Sequence, residues 1–246
     1  MSDTVLILGD TGAGKSRAIK GLDPKETVVI SCAGNKSLPW KGHQSQYTFR
    51  REENGRATGN MWKGVDVNYV LKVLDKLDKE PDLAYVKNIV IDDWQYLMAD
   101  DFMKNAADKI GERSNQFWDN INRIGREAYI LLKKLSVLRE DLTIFVLAHI
   151  ERGLDAMGNS RIKVKTIGNM LDNRITVEGL FTIVLLTHQK IIDTKLQYGF
   201  ITKGDGVSTA KSPEEMFEDF IPNDLQYVKQ KIHEYNTGVE NADTTK

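Results

Sequence analysis

Eight residues near the start, Gly9-Asp10-Thr11-Gly12-Ala13-Gly14-Lys15-Ser16, fit the pattern G-x-x-x-x-G-K-[ST] at every fixed position. Glycines at this spacing let the backbone curl so that successive N–H groups point inward, a nest for phosphate oxygens. Lys15 supplies a charge between a β- and a γ-phosphate, and the Ser16 hydroxyl is placed to hold Mg²⁺. Arg17, directly after, extends the phosphate-contacting set from Gly9 to Arg17. The chemistry implied is binding of a nucleoside triphosphate.

A second signal is Asn88-Ile89-Val90-Ile91-Asp92-Asp93, an apolar strand ending in two acids. In an open parallel sheet the C-terminal strand ends share one crevice, so Asp92 would reach Ser16 or Mg²⁺-bound water and complete a metal site. Asp93 either orients and deprotonates an attacking water or caps the helix that follows. A third strand, residues 142–148, ends at His149, which either senses the γ-phosphate or is satisfied by local hydrogen bonds. Beyond it Arg161, Lys163 and Lys165 alternate within five residues. On an extended backbone they share one face and could follow nucleic-acid phosphates, or they are simply solvated.

These groups need strands to position them. Residues 4–8 read as a buried strand before the Gly-rich loop, and 16–22 as a helix after it. Residues 27–32 form the next strand. Val67, Val70, Leu71, Leu74 and Leu77 mark an amphipathic helix closed by Pro81. A stripe from Phe117 through Leu138 predicts one helix to about residue 139, with Arg123, Arg126, Lys133, Lys134 and Arg139 on a solvated face. Residues 180–186 read as a strand, 191–202 as a hairpin around Leu196-Gln197-Tyr198, and Leu225, Val228 and Ile232 as a last helix. Residues 33–64 lose regular periodicity and read as a surface excursion pinned by Trp40, Tyr47, Phe49 and Trp62, or as a substrate-binding flap. The fold class expected is α/β: a mostly parallel central sheet, helices on both faces and late antiparallel strands. Residues 1–235 make one domain and 236–246 a flexible tail.

Acidic and basic residues nearly cancel, 35 against 34, so no global field draws the chain to nucleic acid and any polyanion site is a local patch. The single cysteine, Cys32, reads as a small buried hydrophobe in a reducing, cytoplasmic setting. No apolar run approaches the roughly 20 residues that span a bilayer, so no membrane partner is expected.

The 9–16 loop, the 89–93 strand, a strand ending in a polar group, a basic loop and late antiparallel strands, in this order, resemble the RecA-like P-loop ATPase core. More closely, the chain resembles phage-encoded single-strand annealing proteins of the Sak type. That closer match lies in residues 28–41 with Lys36-Ser37-Leu38-Pro39, in Lys165-Thr166-Ile167-Gly168-Asn169-Met170-Leu171, and in residues 216–225. The resemblance implies ATP and Mg²⁺ as ligands, single-stranded DNA as partner, a ring or filament of identical subunits, a single-strand-binding protein as a further partner, and a host-cell cytoplasm. It maps the sensor to His149, where RecA itself carries glutamine, and a DNA-binding loop to residues 151–168. Lys203 falls where the family presents lysines to a neighbouring subunit's nucleotide. The resemblance departs at Ser31-Cys32-Ala33-Gly34-Asn35, which has no acid where RecA has its catalytic glutamate. Either Asp93 supplies the base, or hydrolysis is slow and ATP acts mainly as a ligand. A helicase-loader ATPase, a non-hydrolysing regulator and a small-molecule phosphotransferase using Arg50 and Arg51 are the other classes open to this sequence.

Overall fold

Strand β1 (Asp3–Gly9) lies between two parallel neighbours, so its apolar residues are covered on both faces. The computed structural model describes residues 2–53, 56–106, 115–154, 157–167 and 175–239. Gly55, Gly168–Leu171 of the family-like segment, Arg174, residues 240–246 and the Phe117 side chain lie outside the described residues.

The strands are β1, β2 (Thr27–Ser31), β3 (Arg51–Glu53), β4 (Arg56–Thr58), β5 (Met61–Lys63), β6 (Asn88–Asp92), β7 (Thr143–Leu154), β8 (Ser160–Val164), β9 (Ile183–Ile192), β10 (Lys195–Ile201) and β11 (Phe220–Pro222). The main sheet runs β11-β10-β9-β1-β7-β6-β2-β5, with β8 paired to β7. From β9 across to β5 every pair is parallel, while β10 and β11 are antiparallel. One strand, β7, separates the loop-bearing β1 from the acid-bearing β6, the order expected of a RecA-like core.

Alternation along the strands sorts the core into two layers. Beyond the short α1 (His43–Gln46), Leu6, Leu8, Ile89, Ile91, Ile144 and Val146 face one side, where they meet α2 (Val67–Lys79), α3 (Gln95–Ala106) and α4 (Asn115–Leu135). Val5, Ile7, Val90, Phe145 and Leu147 face the other, against the short helix after the Gly-rich loop and α5 (Leu225–Thr237). Helices therefore cover both faces. Helix α2 shows the local logic. Asp66 caps its start by accepting from Tyr69 N–H at 2.8 Å, Lys76 and Lys79 sit in its last turn, and Pro81 follows. Val70, Val73, Leu74 and Leu77 are buried against the sheet, each worth about 1.5–3 kcal/mol relative to exposure. Leu74→Ala would open the centre of this contact at a cost of about 2–5 kcal/mol.

Several expectations change. The helix expected from Phe117 to about residue 139 is α4, which ends four residues earlier, at Leu135. Its basic residues are not one solvated face. Arg123 grips Asp101 of α3 through both terminal nitrogens at 3.0 and 2.7 Å, Lys134 pairs with Asp75 of α2 at 2.9 Å, and Arg139 donates to the Leu77 and Ala84 carbonyls. Residues 33–64 add a strand: β5 extends the sheet parallel to β2, with Trp40, Tyr47 and Trp62 buried beneath the excursion. The late hairpin turns at Asp193-Thr194, not around Leu196–Tyr198. Both turn residues have positive φ (48° and 64°), the geometry that matches strand twist in a two-residue hairpin. Leu180 belongs to a 3₁₀ turn before β9, and the last helix reaches Thr237. Cys32 is buried, and burial pushes its thiol well up.

Candidate nucleotide site

Three neighbouring parallel strands come level where β1 ends. Gly9 of β1 is level with His149 of β7, and Thr187 of β9 stands beside it, where its hydroxyl would lie 1.8 Å from a Cβ placed on Gly9. From Gly9 the loop curls through Gly12 (φ 78°) and Gly14 (φ 97°), a conformation that needs glycine, into a 3₁₀ helix, Ser16–Gly21. The expected helix is thus short and 3₁₀. It aligns few peptide dipoles, so the inward N–H groups and Lys15 supply most of the positive field for a phosphate.

Lys15 is buried, its ammonium donating to Gly9 O at 2.9 Å and Asp10 O at 3.0 Å. Burial lowers its pKa and Lys36 adds to the fall, while Asp93, Asp92 and Asp10 oppose it. The Ser16 hydroxyl donates to both oxygens of Asp92, at 3.0 and 3.2 Å. Burial and the neighbouring Asp93 charge raise the Asp92 pKa, against Lys36, Ser16 and Lys15. A hydroxyl and a carboxylate so joined at the mouth of a phosphate loop fit Mg²⁺, which takes one or two protein oxygens and completes its shell with water and phosphate. Among the described residues no three His, Cys, Asp or Glu side chains cluster as an all-protein metal cage.

Asp93 follows with φ 61° and is almost fully buried. Its Oδ2 accepts from Lys36 Nζ at 2.6 Å, and its Oδ1 lies 3.2 Å from His149 Nε2, an ion-pair distance without hydrogen-bond alignment. Burial alone would raise its pKa, but His149 and Lys36 together hold it well below the usual carboxylate range. His149 also approaches Thr11 Oγ1 at 3.5 Å and meets the Tyr96 ring edge-on. Lys36 reaches this end from the segment after β2, 3.4 Å from Ser16 Oγ. These groups line a cavity of about 840 Å³ that continues past Gly12, Gly14 and Arg17 to Tyr198 and Asn223.

The structure therefore brings Gly9–Arg17, Asp92, Asp93 and His149 together. It keeps the remaining expected residues apart from them. Arg161 and Lys163 lie on β8, which folds back on β7 as a hairpin where a basic loop was expected. Ile162 and Val164 pack inward, leaving Arg161 and Lys163 on the opposite face, and Lys163 stands 3.9 Å from Glu151. Lys165, just past the strand, donates its N–H to His149 O at 2.8 Å. Arg152 on the same hairpin pairs with Asp10 of the phosphate loop at 2.6 Å. Lys203 is outside the cavity, exposed and paired with Asp219 at 2.8 Å. Arg50 stacks on Trp62 and neither it nor Arg51 lines the cavity.

Lys36, Tyr198 and Asn223 were not singled out as site residues by sequence. Lys36 and Asn223 lay within family-like segments, and no spacing rule points to any of the three.

No protein family and no curated protein matches the sequence. Among solved structures, the flagellar accessory protein FlaH from Methanocaldococcus jannaschii is similar at 10% identity and a TM-score of 0.37, over 85% of this chain and 82% of that one. A KaiC-like protein from Pyrococcus horikoshii OT3 is similar at 13% identity and a TM-score of 0.36, over 81% and 77%. The strand order and the loop geometry above carry the fold assignment. No helix among the described residues is long and apolar enough to cross a membrane.

Proposed function

We propose that the chain binds ATP with Mg²⁺ in the cavity above the phosphate loop and hydrolyses it slowly. The observation that carries this reading is the Ser16–Asp92 hydrogen bond at 3.0 Å beside the buried Lys15. Ser16 would hold Mg²⁺ directly and Asp92 through water; the ion, when bound, neutralises charge on the β- and γ-phosphates. Lys15, now held by two loop carbonyls, exchanges these for phosphate oxygens. A general base works best with a pKa near the operating pH. Asp93, held well below that by His149 and Lys36, is a weak one, and no acid stands after β2. This favours ATP acting mainly as a ligand whose presence is read by Asp93 and His149.

The activity the nucleotide would govern is single-strand binding and annealing, as the family resemblance implies, with a phage origin and host cytoplasm. The basic face of β8 supports this reading. Arg152–Asp10 and the Lys165–His149 backbone contact link that hairpin to both the phosphate loop and the sensor position. Assembly of identical subunits, with Lys203 turned to a neighbour's nucleotide, and a single-strand-binding protein as a further partner belong to the same proposal. A helicase-loader ATPase would require a protein partner instead.

The test is ATP binding and turnover with and without single-stranded DNA across a range of salt. Lys15→Ala should abolish nucleotide binding in a folded protein, and DNA should alter the affinity or the turnover of the wild type. Full turnover by the Lys15 variant would end the site assignment. Indifference of wild-type binding and turnover to DNA would end the DNA reading.

A further inference from the structure

Strand β1 stops while both its neighbours run on, and we infer that the notch left above it docks an extended, acidic polypeptide segment of a partner protein. The inference rests on neither the nucleotide reading nor the DNA reading. β1 is paired as far as Gly9 on β7 and Leu8 on β9. β7 continues from Ile150 to Leu154 and β9 from Thr187 to Ile192, each held on its far edge by its hairpin partner, β8 or β10. Among the described residues no strand pairs with either continuation on the side that β1 has left. None of Arg152, Gly153, Gln189, Lys190 and Ile191 lines the nucleotide cavity.

Backbone direction makes the notch a pairing site. Successive residues of a strand turn their N–H and C=O groups to opposite edges. His149 O accepts from Lys165 N–H at 2.8 Å and Leu147 O from Trp94 N–H at 3.2 Å, both on the edge away from β1. Ile150, Arg152 and Leu154 therefore turn their backbone groups into the notch. On β9, Val184 exchanges both backbone bonds with Lys211 at 2.8 Å, again on the edge away from β1. Thr187, Gln189 and Ile191 therefore face the notch from the other side. The two edges start two strand spacings apart, about 9.5 Å, the room for one strand. A polypeptide offers the alternating donors and acceptors such edges need, whereas a phosphodiester backbone offers acceptors only and leaves the carbonyls unpaired.

Side chains set the occupant's chemistry. Carrying the β1 register onward sets Arg152 level with Lys190 and Gly153 level with Ile191. Ile150 and Leu186 belong to the first core layer, so Arg152 and Lys190 share that face by alternation, and both are exposed. A residue seated between them meets two cations, one of which already holds the Asp10 carboxylate at 2.6 Å. The next residue turns to the other face, between Ile191, 73% exposed, and Gly153, where a Cβ would meet nothing within 4 Å. That position takes an apolar side chain. Met157, Ile191 and Leu154, all on these two hairpins, are the most exposed large apolar residues described. Glu151 lies on the face away from Arg152 and Asp193 sits at the hairpin turn, so neither described acid stands between the two cations. The segment that fits alternates acidic and apolar residues.

Fluorescence anisotropy with the whole chain tests this, using a labelled synthetic peptide that alternates Glu with Val. The comparisons are a Lys–Val peptide, a Glu–Val peptide N-methylated along its backbone, and a labelled single-stranded oligonucleotide. The Glu–Val peptide should bind at least about tenfold more tightly than either other peptide. Gln189→Pro removes one notch-facing N–H on an edge where proline is tolerated, and Lys190→Glu reverses one flanking charge. Each should weaken the Glu–Val peptide by at least about tenfold with the circular dichroism spectrum unchanged. Bound peptide should also slow hydrogen exchange at the Gln189 and Ile191 amides. Equal binding of the N-methylated peptide overturns strand pairing, and equal binding of the Lys–Val peptide overturns the acidic partner. Failure of the Glu–Val peptide to bind overturns the proposal whole. Oligonucleotide binding that Lys190→Glu weakens, with no peptide bound, assigns the notch to nucleic acid. Self-association that Gln189→Pro abolishes, with no peptide bound, assigns it to a second copy of the chain. Either result overturns the proposal.

Discussion

The Lys36 ammonium stands 2.6 Å from Asp93 Oδ2 and 3.4 Å from Ser16 Oγ, so a side chain from the segment after β2 places a fixed positive charge beside the group expected to hold Mg²⁺. Desolvation acts to lower the Lys36 pKa, yet Asp92 and Asp93 prevail and raise it, so it stays charged at neutral pH. A divalent ion bound at Ser16 meets that charge at short range. Lys36→Met should therefore lower the Mg²⁺ concentration that half-saturates nucleotide binding by several-fold, measured by Mg²⁺ titration of a fluorescent ATP analogue. A higher requirement in the variant would mean that Lys36 serves the phosphates and not the acids.

The same contact decides what Asp93 does. Loss of a true general base costs on the order of 10²-fold or more in rate. Asp93 is already held in its weakly basic, ionised form, with Lys36 paired to it at 2.6 Å, so Asp93→Asn should change single-turnover hydrolysis by less than about tenfold. Asn tolerates the φ of 61° at this position, which keeps the backbone out of the comparison. A loss of 10²-fold or more with ATP still bound would restore Asp93 as the base.

How much of this was legible in the sequence follows from how local each signal is. The phosphate loop and Asp92 are written in consecutive residues: a strand, then the group that the strand end delivers. His149 was placed by the same rule, and the parallel register setting it level with Gly9 is a consequence of β1–β7 pairing. Lys36 and Asn223 reach the cavity from connections and Tyr198 from β10, and a lone Lys, Tyr or Asn carries no period or spacing that marks a site. The β7–β8 hairpin was hidden because β7 runs past the buried strand end into exposed residues, where alternation fades.

The Asp193-Thr194 turn was missed for a related reason. It lacks the Asn-Gly signature although both residues hold positive φ, which for a β-branched threonine at 64° is strained by about 1–3 kcal/mol. Thr194→Gly should relieve part of that strain and, despite the extra chain entropy of glycine, stabilise the protein by roughly 0.5–1 kcal/mol. Urea unfolding checks it: the midpoint should rise with an unchanged slope. A lower midpoint would mean that the Thr194 hydroxyl, which donates to Asp193 O, matters more than the backbone strain.

On β8 the residues Arg161 and Lys163 share a face, but they are not equivalent. Arg161 lies opposite Gly153, whereas Lys163 lies opposite Glu151, 3.9 Å from its carboxylate. A DNA phosphate must compete with that carboxylate for Lys163, while among the described residues Arg161 and the exposed Lys165 meet no such charge across the ladder. Each phosphate contact removed lowers the salt slope of single-strand binding by about 0.7. Arg161→Gln with Lys165→Gln should therefore remove most of the salt dependence carried by this hairpin, and adding Lys163→Gln should change it little further. ATP affinity measured without DNA should stay at the wild-type value in both variants, because none of these side chains lines the nucleotide cavity. Fluorescence anisotropy with a labelled oligonucleotide at several salt concentrations reads both quantities. Wild-type affinity and slope in the triple variant would remove the hairpin as the DNA-binding face. A large additional loss from Lys163→Gln alone would show that Glu151 releases it when DNA binds.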